Sequence, residues 1–140
     1  MVSAASLSAG IVQGLVEHAR NEAPNEACGL IIGTAPAAEG GRALRFEPTR
    51  NAAASPYRYE IDSKDLLRLT LATDDADEVF WAIVHSHTHT PARPSPTDVG
   101  LAFYPDPLYV LVSLAEDEPD IRAWRIVEGS ISEVPLEMTE

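Results

Sequence analysis

Val79-Phe-Trp-Ala-Ile-Val-His-Ser-His87 opens with six apolar residues and closes with two histidines one residue apart. The run is apolar at both parities, the pattern of a strand covered on both faces. Leu108 to Leu114 (LYVLVSL) reads the same way, and Cys28-Gly-Leu-Ile-Ile-Gly33 is a shorter apolar run closed by glycine. Strands buried on both sides need helices to bury them. Leu7, Ile11, Val12, Leu15, Val16 and Ala19 recur at helical spacing over 7–21, with Ser6 or Ser8 as cap and Pro24 as stop. Ser63 opens a second helix with Leu66, Leu67, Thr70 and Leu71 on one face. The acids that follow, Asp74, Asp75, Asp77 and Glu78, read as a solvated turn. A short helix is expected over Pro96–Phe103, stopped by Pro105 and Pro107. Further strands are expected at Ala43–Pro48, Tyr57–Ile61, Ile121–Val127 and Ile131–Leu136, the last an edge strand because of Pro135. Thr34 to Arg42 has loop composition, as at a hairpin tip. Helices alternating with buried strands predict an α/β sandwich with a mixed sheet.

Composition narrows the function. The 140 residues are one domain's worth, so residues 1–140 are read as a single domain. An apolar share of 45% and a charged share of 23% are ordinary for a folded chain. The net charge of −12 argues against a nucleic-acid partner. No apolar run approaches the ~20 residues of a membrane span, and Met1 to Gly10 lacks the pattern of a signal peptide. The lone cysteine, Cys28, excludes an intramolecular disulfide and suits a reducing compartment. A cytoplasmic protein is expected.

Chemistry concentrates between Val84 and Asp98 (VHSHTHTPARPSPTD). Side chains alternate across a strand, so His85 and His87 leave on the same face and can chelate one metal ion. Asp98, in the first turn of the next helix, is a candidate third ligand. Two imidazoles and one carboxylate leave a fourth position open, as in catalytic zinc sites. The same donors also suit Fe(II). His89 shares the parity of the other two histidines and competes with Asp98, although the proline-rich loop should break the strand there. Hydrolysis also needs a base, for which Glu26, just ahead of the Cys28–Gly33 strand, is the best candidate. Ser95 offers a hydroxyl for an oxyanion. Ser95-Pro96-Thr97-Asp98 is equally a good helix start, with serine as cap, proline first and an acid at the positive end.

Glu26, the run Cys28–Gly33, and His85-Ser-His87 followed by seven residues, Ser95, two residues and Asp98 carry a resemblance. Together they resemble the signature of the JAMM (MPN+) metalloproteases, without insertion or deletion. The short chain and the run Asp98-Val-Gly-Leu-Ala102 are similar to the short bacterial, Mec-like members, which act on a sulfur-carrier–cysteine adduct. The resemblance implies a three-layer α/β/α sandwich similar to cytidine deaminase. It also implies one Zn2+ held by His85, His87 and Asp98, with Glu26 as general base and later acid, and Ser95 stabilising the tetrahedral intermediate. The implied substrate is the bond after the C-terminal glycine of a ubiquitin-like sulfur carrier ending in Gly-Gly, whose extended tail would add as a strand at a sheet edge. The implied alternatives are an isopeptidase that removes such modifiers from proteins and a catalytically silent scaffold. Thr88 and His89 stand where many relatives carry a proline after the second histidine.

Other residues carry smaller signals. Cys28, Phe80 and Trp81 read as core. Asn51 reads as a turn residue or as one that orients substrate. Arg42, Arg45, Arg50 and Arg58, with only Glu47 against them, form a basic stretch that would suit an acidic carrier.

Overall fold

The computed structural model describes residues 4–140. The elements are β1 (Ala5–Ser8), α1 (Ala9–Glu22), β2 (Cys28–Gly33), β3 (Ala43–Thr49), α2 (Ser63–Ala76), β4 (Val79–His87), α3 (Pro96–Gly100), β5 (Leu108–Ser113), β6 (Asp120–Val127), β7 (Ser130–Val134) and β8 (Leu136–Thr139). Six strands form one mixed sheet in the order β3-β2-β4-β5-β6-β7. Within it β4 and β5 run parallel, and the other neighbours are antiparallel. β1 and β8 pair separately as a parallel ribbon.

The doubly apolar strands have the cover they require. On one face Leu7, Ile11, Leu15 and Ala19 of β1 and α1 pack with Ile31, Trp81, Val84, Val110 and Val112. On the other, Leu69 of α2 packs with Leu30, Ile32, Ile83, Tyr109 and Leu111, joined by Leu66 and Val99. The result is the expected α/β/α sandwich. One irregularity sets the faces of β4: Ile31 pairs with Ala82 but Ile32 with Phe80, so Trp81 is an extra residue. Trp81 and Ala82 both serve the α1 side as a consequence, while Phe80 and Ile83 serve the α2 side.

Several expected boundaries move. The helix expected over 7–21 begins at Ala9, because Leu7 belongs to β1 and Ser8 is the cap, accepting from Ile11 N at 3.3 Å. Tyr57–Ile61 is not a strand: only Ile61 bridges, to Asn51, and the Asn51 side chain takes backbone groups that a ladder would have used. Asp74 and Asp75 are in the last turn of α2 rather than in a turn beyond it. Asp77 caps that helix in the left-handed region (φ 56°), and Glu78 is bonded to Arg45 at 2.9 Å. α3 stops at Gly100, short of Phe103. The strand expected to reach Leu136 ends at Val134, since Pro135 passes the chain to the ribbon and accepts there from Ala5 N at 2.8 Å. Among the described residues no helix is long and apolar enough to cross a membrane.

Close approach of β2 and β3 depends on Gly29. A Cβ there would lie 2.6 Å from the Phe46 ring and 2.7 Å from the Glu47 carbonyl oxygen. Gly29→Ala is therefore expected to destabilise the fold by about 1–3 kcal/mol. Gly10→Ala, in open space on α1, should cause no loss. Urea unfolding midpoints at constant slope measure the difference.

Candidate metal centre

β4 delivers His85 and His87 to the α2 face, both buried. Asp98 reaches them from the third position of α3. That helix starts with a reciprocal capping box: Asp98 N donates to Ser95 Oγ at 3.1 Å, and Ser95 N donates to Asp98 Oδ2 at 2.9 Å. The intervening loop is pinned by side chains on its carbonyls. His87 Nδ1 donates to Pro91 O (2.9 Å), Ser113 Oγ to Thr90 O (2.6 Å), and Trp124 Nε1 to Ala92 O (2.9 Å).

The three side chains converge on one oxygen. His85 Nε2 and His87 Nε2 lie 3.1 and 3.0 Å from Asp98 Oδ2. A carbonyl only accepts, so the Pro91 bond puts the His87 proton on Nδ1 and leaves Nε2 with its lone pair. In the neutral ring that lone pair faces carboxylate lone pairs. His85 Nε2 is likewise near Asp98 yet without hydrogen-bonding alignment. A cation among the three relieves both conflicts, and their ligand atoms all lie within 4.8 Å of one another. The donor set fits a metal ion with nitrogen and oxygen ligands.

Electrostatics follow the same geometry. Burial opposes charge on Asp98, but the two histidines beside it and the Ser95 amide outweigh it and hold the carboxyl well below its usual range. Complete burial lowers His85. Burial also opposes charge on His87, but Asp98 and the Pro91 carbonyl prevail and raise it. Glu26 is pushed up to about 7, by burial first and then by Asp98, with His87 pulling the other way. Cys28 pairs with His85 across the sheet, so continuing that register puts Glu26 opposite His87. Glu26 is 4% exposed, and its Oε1 is buried without a partner among the described residues.

The structure thus brings together His85, His87 and Asp98, with Ser95 bonded to Asp98. His89 is exposed beyond the end of β4 and is not in the cluster, as expected from the break at the proline-rich loop. Cys28 is a core thiol, 3.3 Å from Thr49 Oγ1, and burial pushes it up to about 11. The basic stretch does not form one patch. Arg45 is bonded to Glu47 and Glu78, while Arg42 and Arg58 border cavities on opposite faces of the sheet. Two contributors had little sequence signal. Asn51 is a buried clamp, donating to Glu26 O (3.0 Å) and Arg58 O (3.1 Å) and accepting from Ala53 N (3.0 Å) and Glu60 N (2.9 Å). Tyr59 stacks on His85, with ring centroids 4.3 Å apart.

Comparison with known proteins agrees with this geometry. Residues 8–127 match the family described as prokaryotic homologs of the JAB domain. The CysO-cysteine peptidase of Mycobacterium tuberculosis is 44% identical over 136 residues, covering 96% of this chain and 90% of the relative. The desampylase of Haloferax volcanii is 31% identical over 113 residues, covering 77% and 79%. A solution structure of a Desulfitobacterium hafniense protein superposes with a TM-score of 0.85 at 31% identity, covering 96% and 92%. A JAB1/MPN domain protein from Archaeoglobus fulgidus shares the fold, with a TM-score of 0.63 at 18% identity, covering 97% and 99%. The chain belongs to the prokaryotic JAB family. Its likeness to the CysO-cysteine peptidase along nearly its whole length puts it among the short, Mec-like members, and it is a JAMM-type peptidase, a hydrolase.

The loop that sets Asp98 against the histidines depends on Trp124. Trp124→Phe keeps the ring and removes the bond to Ala92 O, at an expected cost of about 1 kcal/mol. Amide exchange over residues 88–95 should accelerate while the β5 core stays protected; equal protection in both proteins would count against this role.

Proposed function

We propose that this chain is a zinc-dependent peptidase that hydrolyses the bond after the C-terminal glycine of a ubiquitin-like sulfur carrier, releasing cysteine for cysteine biosynthesis. The observation that carries the reading is the meeting of His85, His87 and Asp98 within 4.8 Å, in a chain 44% identical to a CysO-cysteine peptidase. These three residues hold one Zn2+. When bound, zinc supplies Lewis acidity and lowers the pKa of water to about 7.

The chain's own groups do the rest. Glu26, with a carboxyl near 7, takes a proton from the attacking water and later gives it to the departing amine. Ser95 Oγ accepts the Asp98 N–H, which leaves its own proton free to bond the substrate oxygen as negative charge builds there. Burial of all three metal-binding side chains keeps the local dielectric low and strengthens each of these interactions. The buried free thiol of Cys28 supports a cytoplasmic setting. The family match over 8–127 supports reading residues 1–140 as one domain, and the acidic chain fits a protein substrate rather than nucleic acid.

A second reading has its own support. The desampylase relatives favour an isopeptidase that removes ubiquitin-like modifiers from proteins. The two readings differ only in the leaving amine. Purified protein offered a Gly-Gly-ending carrier with C-terminal cysteine, and the same carrier linked to a lysine side chain, should cleave the first faster by mass spectrometry. Cleavage of the lysine adduct alone would replace the first reading by the second.

Site variants test the roles. Glu26→Gln should keep one zinc per chain by elemental analysis and lose cleavage by about 10²–10⁴-fold. His87→Ala should lose both. Full cleavage in Glu26→Gln would remove the base assignment, and undiminished zinc in His87→Ala would remove the ligand assignment.

A further inference from the structure

A metal-ligating histidine ordinarily donates its second ring nitrogen to a carbonyl or carboxylate, which fixes tautomer and ring angle. His87 does so through Pro91. His85 does not, for its Nδ1 is buried without a partner among the described residues. Its ring is set by packing instead. Tyr59 lies against it with planes inclined by 19° and centroids 4.3 Å apart, and His87 meets it edge-on at 5.1 Å. Tyr59 sits in no strand or helix, so something must hold it there. Asn51 does, binding the carbonyl of Arg58 before it and the amide of Glu60 after it, while Ala52 N donates to Glu60 O at 2.7 Å. The same amide group holds the Glu26 carbonyl, so one side chain ties the Tyr59 segment to the residue opposite His87.

We propose that Tyr59 is a positioning residue for His85, its stacked ring replacing the hydrogen bond that His85 Nδ1 lacks and fixing Nε2 toward Asp98 and the metal. This rests on the zinc reading above. An imidazole that gives its lone pair to a cation gains positive character, and the electron-rich face of a phenol stabilises it. The hydroxyl is not required, but the ring is.

Zinc affinity, measured by competition with a chromophoric chelator, tests the assignment. Tyr59→Leu should bind zinc about ten- to a hundredfold more weakly, the range for losing a group that orients a metal ligand. Tyr59→Phe should stay within about twofold of wild type. Zinc binding by Tyr59→Leu equal to wild type overturns the proposal alone, whereas a wild-type protein without zinc affinity overturns the zinc reading and this proposal with it. If far-UV circular dichroism shows Tyr59→Leu unfolded, Tyr59→Met supplies a long, flexible apolar side chain without a π face; the same loss of zinc affinity is expected of it, and wild-type affinity in it overturns the proposal. Proton NMR of the metal-free protein gives an independent reading. The His85 ring protons should be shifted upfield by the Tyr59 ring current in wild type and in Tyr59→Phe. Unshifted His85 resonances in wild type overturn the stacking itself.

Discussion

Two imidazole nitrogens and a carboxylate oxygen, all rich in lone pairs, meet in a place from which water is nearly excluded. With the His87 proton held on Nδ1 by Pro91, its Nε2 lone pair faces the carboxylate, and positive charge among the three turns that conflict into cohesion. Much of the molecule is arranged around that requirement. The parallel pair β4–β5 sets His87 beside Ser113, and Ser113 holds the loop through Thr90. Trp124 reaches from β6 to hold the same loop at Ala92, and the capping box of α3 turns the Asp98 carboxylate inward. Sheet, loop and helix end are three separate constraints on one oxygen atom.

The layered fold was legible because its signal is one of burial. VFWAIV and LYVLVSL can satisfy both parities only between two helical layers. Ile11 and Leu15 cover one face as expected, whereas on α2 the covering residues are Leu66 and Leu69, and Leu67 and Leu71, expected on that face, are exposed. The same alternation placed the two histidines on one face. Short, polar or tertiary-dependent pieces were less legible. β1 has four residues and is a strand only because β8 lies beside it, a partner 131 positions away at the Ala5–Leu136 pair. Tyr57–Ile61 has strand-like residues, but a side chain competes for its backbone, and local pattern cannot register such competition.

The site divides in the same way. The candidate chemical residues His85, His87, Ser95 and Asp98 announce themselves by type and spacing. Residues that act by holding others leave little trace: Tyr59 is an unremarked aromatic until the fold lays it on His85, and Asn51 looks like any turn asparagine until all four of its hydrogen bonds are counted. His89 illustrates the opposite case, since a residue of the right type at the right parity lies outside the cluster because the strand has already ended.

On the proposed reading Ser95 has two employments, and this bears on how a lineage would lose its activity. Its oxygen terminates a helix whatever happens to the chemistry, so selection for folding alone retains it. Glu26 has no such second tie on its carboxyl: among the described residues nothing bonds its buried Oε1, a burden on the native state that turnover would justify on that reading. In descendants relieved of catalysis the glutamate would drift first, and the serine would persist as a relic.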